Sequence, residues 1–145
     1  MRKTQFKYFV SILLLGIYAC NSKEAVPIKL NIDQCDFCKM KISDSRYGGE
    51  VITKKGRIYK FDDIGCMISY TNENKLNVHS FFVTDFVNNN TLVNVEDAHF
   101  LTSDFFLSPM RGNIAAFGTK EQASKIQNEA NASPQEWSQI LNSFK

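Results

Sequence analysis

The chain has 145 residues, 43% of them hydrophobic and 12 of them Phe, which suffices for one cored domain or two small packed subdomains. Its 17 basic and 15 acidic side chains give a formal charge of only +2. That balance excludes the strongly basic surface of a nucleic-acid-binding protein.

The first elements are not part of the core. Residues 1–7 carry Arg2, Lys3 and Lys7, residues 8–18 are apolar, and Ala19 precedes Cys20. A basic segment, a short apolar run and a small residue before the cleavage point make a signal peptide over residues 1–19. The apolar run is too short to span a bilayer as a finished helix. Ile17-Tyr18-Ala19-Cys20 resembles a bacterial lipobox, with Cys20 as the lipidated first residue of the mature chain. An ordinary signal followed by an incidental Cys is the alternative. A lipid there tethers the protein to a membrane of the bacterial cell envelope, facing the periplasm, without spanning it. Without residues 1–19 the basic side chains fall to 14 against 15 acidic ones, a net of about −1, so the excess positive charge belongs to the signal.

Residues 20–32, with Pro27, read as the tether, and residues 33–145 as the functional domain. The domain opens on Cys35-Asp36-Phe37-Cys38-Lys39-Met40, a segment too polar to be core, in which Cys38 and Met40 share one side if the backbone is extended. Glu50–Thr53 and Arg57–Phe61 flank Lys54-Lys55-Gly56 as a hairpin. Asp62 or Asp63 then caps a helix whose Ile64, Met67, Ile68 and Thr71 share a face. Strands are predicted at Ser80–Phe86, Thr91–Val95 and His99–Thr102, with the boundary between two subdomains near residues 86–90. Pro109-Met110-Arg111-Gly112 is a loop before a short buried strand, Asn113–Phe117. Thr119-Lys120-Glu121-Gln122 has capping-box spacing and opens a helix to about Ala130. Ser133-Pro134-Gln135-Glu136 supplies the cap, first-turn proline and carboxylate of a last helix, with Trp137, Ile140, Leu141 and Phe144 on one face. Phe61-Asp62-Asp63 and Phe117-Gly118-Thr119 echo each other, each ending a strand and starting a helix. The pattern predicts an α+β fold of two small ββα units.

With Cys20 spent on lipid, Cys35, Cys38 and Cys66 remain, an odd number for an exported protein. Cys-x-x-Cys admits three chemistries. Structural zinc needs a closed set of four, such as the three Cys with His79 or His99. A thiol-disulfide oxidoreductase places Cys35 and Cys38 at a helix start after a strand. A copper carrier needs only two or three soft ligands, and Cys35, Cys38, Met40 and Met110 supply thiolates and thioethers suited to Cu(I). Met110 sits in a Pro/Gly-punctuated loop where packing does not call for it. Cys66 and Met67 are weaker candidates: a helix start lowers the Cys66 pKa, yet both also suit ordinary helix packing. Nothing resembles a Ser/His/Asp or paired-carboxylate active site, so the chain reads as a non-enzyme.

These residues resemble the NosL lipoproteins, accessory proteins of nitrous oxide reductase. The likeness rests on the lipobox at Cys20, Cys35 to Met40 followed by Ile42 and Asp44, Phe61 to Met67, and Ser108-Pro109-Met110 followed by Ala115-Ala116-Phe117. It implies a fold of two ββαβ-type halves and a Cu(I) chaperone for the reductase's copper–sulfide centre. It implies copper ligands on the Cys-x-x-Cys-x-Met segment and Met110. The implied partners are the reductase and its ABC-type membrane maturation complex. Where the family usually has glycine after the Cys pair and after Pro-Met, this chain has Lys39 and Arg111.

Overall fold

The computed structural model describes residues 23–144, so the signal peptide and Cys20 lie outside the described residues. Ten elements follow in order: β1 Gly49–Thr53, β2 Ile58–Phe61, α1 Ile64–Glu73, β3 Val78–Thr84, β4 Leu92–Asn94, β5 His99–Thr102, β6 Ile114–Phe117, α2 Lys120–Glu129, β7 Ser133–Gln135 and α3 Trp137–Ser143. No helix among the described residues is long and apolar enough to cross a membrane.

The echo in the sequence is a repeat in the fold. β1, β2, α1 and β3 form one ββαβ unit, and β5, β6, α2 and β7 form another. In each, the first strand is central and antiparallel to the other two, giving sheets ordered β2-β1-β3-β4 and β6-β5-β7. Asp63 and Thr119 cap the two helices by accepting from the amides of Gly65 and Gln122. The α+β architecture is therefore the one the sequence pattern predicts, and its two ββαβ halves are those the family resemblance implies.

Strand alternation explains how the halves join. On β5 and β6, Phe100, Ile114 and Ala116 face the first core beside Val51, Phe61 and Met67. Their neighbours Leu101, Ala115 and Phe117 face the second core, covered by Ala123 and Ile126 of α2. Side chains at i and i+1 of a strand point to opposite faces, so the middle of β5 is buried on both faces and β6 is buried throughout, while β7 stays largely exposed. A parallel bridge between Asp85 and Ala116 links the sheets.

Two local expectations are corrected. Ser133–Gln135 is not a helix start. It pairs with β5, where Pro134 lies opposite Leu101 on an edge strand that tolerates its missing N–H. The last helix begins two residues after Gln135, capped by Glu136 in a box with Gln139. Cys35 to Met40 is also not extended or too polar for the core. Cys35 is fully buried, and Phe37 and Cys38 pack against the first core.

From Val26 onward the segment assigned to the tether lies on the domain. Its Ile28 is buried in the first core, the Val26 amide donates to Glu50 Oε1 at 3.0 Å, and Lys60 Nζ donates to the Pro27 carbonyl at 3.1 Å.

Candidate metal centre

The Cys35 to Met40 segment closes into a tight loop because its ends bond each other. The Cys35 amide donates to the Met40 carbonyl at 2.8 Å, and the Lys39 amide to the Cys35 carbonyl at 3.0 Å. Lys39 takes a left-handed conformation, φ 65°, to make that closure, which is why Cys38 and Met40 do not alternate along a strand. Asp36 docks the loop on β2, its amide donating to the Lys60 carbonyl and its carboxylate accepting from the Lys60 amide at 2.9 Å.

This docking carries two thiols to the end of β2, where α1 begins. Cys35, Cys38, Cys66 and Asp62 gather there, with their donor atoms all within 4.8 Å of one another. With bonds of about 2.3 Å, donors around one ion lie about 3.8 Å apart in a tetrahedral set and about 4.6 Å apart in a linear pair, so a contraction of up to about 1 Å brings this set around a metal. None of the three cysteines is in a disulfide. The Cys38 thiol donates to Asp62 Oδ2 at 3.3 Å, while buried Asp62 Oδ1 has no hydrogen-bond partner. An orphaned buried acceptor beside three thiols suits a cation.

Charge is unevenly shared among the sulfurs. Cys35 is pulled down to about 7, first because the Cys66 thiol donates to it, against the opposing effect of burial. The backbone N–H groups of Asp62 and Cys38 also favour its thiolate. Cys66 moves upward, first as the donor in that contact and then through burial. The start of α1 therefore does not lower the Cys66 pKa, because a neighbouring thiolate and desolvation outweigh the helix dipole. Burial, its largest cause, pushes Cys38 up to about 11. Of the three thiols, Cys35 is therefore the one that ionises first, while Cys66 and Cys38 hold their protons.

Asp62 is the residue that motif reasoning missed. In sequence it is interchangeable with Asp63 as a cap; in the structure only Asp63 caps α1, with Oδ1 accepting from Gly65 at 2.7 Å. The other oxygen of Asp63 accepts from the Met110 amide at 3.2 Å. Gly112 makes that approach possible, since a Cβ there would lie 2.5 Å from Asp63 Oδ1. Adjacent aspartates thus hold the two candidate loops, Asp62 the Cys loop and Asp63 the Pro-Met loop. The thioether side chains of Met40 and Met110 are 46% and 45% exposed. Met67 is wholly buried in the first core, its sulfur close against Gly49. His79 and His99 are exposed on β3 and β5, and the fourth donor beside the three thiols is a carboxylate.

Asp63→Ala is expected to lower stability by about 1–2 kcal/mol through loss of the cap, and to free the Met110 loop as well. Thermal melts should show Asp63→Asn, which can still cap, recovering most of the loss.

The NosL family model matches residues 27–143. No protein of curated function matches the chain. The crystal structure of the copper chaperone NosL from Shewanella denitrificans superposes with a TM-score of 0.69 at 20% identity, over 80% of this chain and 94% of that one. At that identity the superposition speaks for the fold, while the family match covers both ββαβ halves and both loops that the aspartates hold. On that match, the chain belongs to the NosL family.

Proposed function

We propose that this protein is a carrier of Cu(I), which it holds as cargo among Cys35, Cys38, Cys66 and Asp62 and passes on by ligand exchange. The convergence of three free thiols on a buried carboxylate, in a chain of the NosL family, carries this reading. Sulfur-rich sets of low coordination number favour Cu(I). The exposed thioethers of Met40 and Met110 are then the ligands that meet the ion on entry and exit, since they bind without losing a proton. The lipobox sequence supports attachment to the bacterial envelope through Cys20. The family resemblance supports nitrous oxide reductase as the client, with its membrane maturation complex as the donor or relay.

A second reading, a structural zinc module, draws support from the same four donors, because three thiolates and a carboxylate also make a closed tetrahedral set. An anaerobic titration with Cu(I) and with Zn(II), each against a competing chelator, separates the two. Tight 1:1 Cu(I) binding that Zn(II) does not displace supports the carrier. Preference for Zn(II), with unfolding on chelation, supports the module.

Loading should also release protons. Cys38 and Cys66 keep their protons through the neutral range, whereas Cys35 loses its proton near pH 7. Displacing protons favours binding at high pH, so affinity should rise by about two decades per pH unit above pH 7 and steepen toward about three below it. Release of less than one proton per copper at pH 8 would exclude the thiols as the ligand set.

A further inference from the structure

Resting on the carrier reading, we infer that the 104–111 loop, with the tip of the Cys loop, is a docking face for an acidic protein that exchanges copper with this one. The first observation is a set of large apolar side chains left exposed, Phe105 touching the core only through the edge of its ring on Phe106. Phe105 is 58% and Leu107 79% exposed, and Met40 and Met110 are nearly half exposed. Large apolar side chains left exposed mark interaction surfaces when they share one patch, and Phe105, Leu107 and Met110 lie within six residues of one loop.

The second observation is that the fold holds them outward. Phe106, between the two exposed side chains, is fully buried, with its ring 5.2 Å from Phe86. Backbone bonds from Phe106 to Ser103 and from Arg111 to Ser108, each 3.0 Å, stiffen the loop, and Ser108 Oγ accepts from Asn113 at 2.9 Å. Display on a braced loop lowers the ordering cost of binding.

The third observation identifies the partner's chemistry. Each exposed methionine has an exposed cation beside it, Lys39 before Met40 and Arg111 after Met110. Both cations occupy left-handed backbone, φ 65° and 59°, a conformation that disfavours long side chains. Neither takes part in the two ion pairs among the described residues, and the Lys39 ammonium meets only the Asp36 carbonyl. The two loops are tied to Asp62 and Asp63, one peptide apart, so the loop that carries Lys39 and the loop that carries Arg111 are anchored side by side at the start of α1. Two sulfurs, two unpaired cations and two apolar knobs fit a protein surface with an apolar recess rimmed by carboxylates. Such pairing sets association rate more than affinity.

Copper transfer from the loaded full chain to copper-depleted nitrous oxide reductase, beside transfer to a small chelator, tests the face. Leu107→Asp and Arg111→Glu should each slow transfer to the protein by about 10-fold or more, and wild-type transfer should slow with added salt. Both variants should keep wild-type Cu(I) affinity and chelator transfer. Equal protein-transfer rates in wild type and variants, or no transfer from loaded wild type, would overturn the docking face while leaving the carrier intact. Binding to phosphatidylglycerol vesicles that Leu107→Asp abolishes, with protein transfer unchanged, would overturn it in favour of a membrane contact. A wild-type chain that holds no Cu(I) removes the carrier reading and this face with it.

Discussion

Cys35→Ala is expected to lower Cu(I) affinity by more than about 100-fold, beyond the range that follows loss of a merely supporting partner. Cys35 is the sulfur that the others serve. It accepts from the Cys66 thiol and from neighbouring backbone amides, so it is the first of the three thiols to ionise. Without it, Cys66 and Cys38 lose the group around which they are arranged, and an incoming ion meets two protonated thiols and one carboxylate. The substitution removes a single buried sulfur and leaves the Cys35–Met40 and Lys39–Cys35 backbone bonds in place. Stability should therefore fall by only about 1 kcal/mol, the scale for deleting a small buried group. Competition with a Cu(I) chelator, alongside a urea melt of the apo form, separates lost binding from lost fold. Affinity within threefold of wild type would place the copper elsewhere.

The Asp62→Asn variant is expected to bind Cu(I) about 10- to 100-fold more weakly without loss of stability in the absence of copper. Asp62 is 2% exposed, takes one hydrogen bond from a thiol and leaves its second oxygen without a partner. A buried carboxylate so poorly paired contributes nothing to the fold that an isosteric amide cannot replace, and exchange of buried charges for neutral groups is often neutral or stabilising. Its position beside three thiols is explained by a cation. A melting temperature at or above that of wild type with weakened binding identifies Asp62 as a ligand or counter-charge. Lower stability with unchanged affinity would reduce it to a structural acceptor for Cys38. The pair Asp62→Asn and Asp63→Asn also separates neighbouring carboxylates: only the first should change copper binding strongly, and neither should remove the α1 cap.

The sequence by itself determined whatever depends on neighbours along the chain. Lys54-Lys55-Gly56 turns one hairpin, an aspartate of the Asp62-Asp63 pair and Thr119 cap two helices, and the echo around Phe61 and Phe117 marks two ββα repeats. Cys-x-x-Cys and Cys66 stood out because three thiols are an odd number that one intramolecular disulfide does not absorb. Lys39 and Arg111 fall on two positions of left-handed φ, where glycine, the residue the family resemblance leads one to expect, has no steric cost.

Tertiary structure decided which of these residues meet. Asp62 and Asp63 are equivalent as caps on paper, and only the docking of the Cys loop by Asp36 turns the first toward the thiols. Ser133-Pro134-Gln135 carries every local mark of a helix start, but the open edge of β5, some thirty residues earlier, takes it as a strand. The Cys66 pKa, read from a helix dipole, reverses because a thiolate from Cys35 lies against it. In each case a short-range preference of about 1 kcal/mol yields to burial and pairing with groups distant in sequence, which no local pattern records.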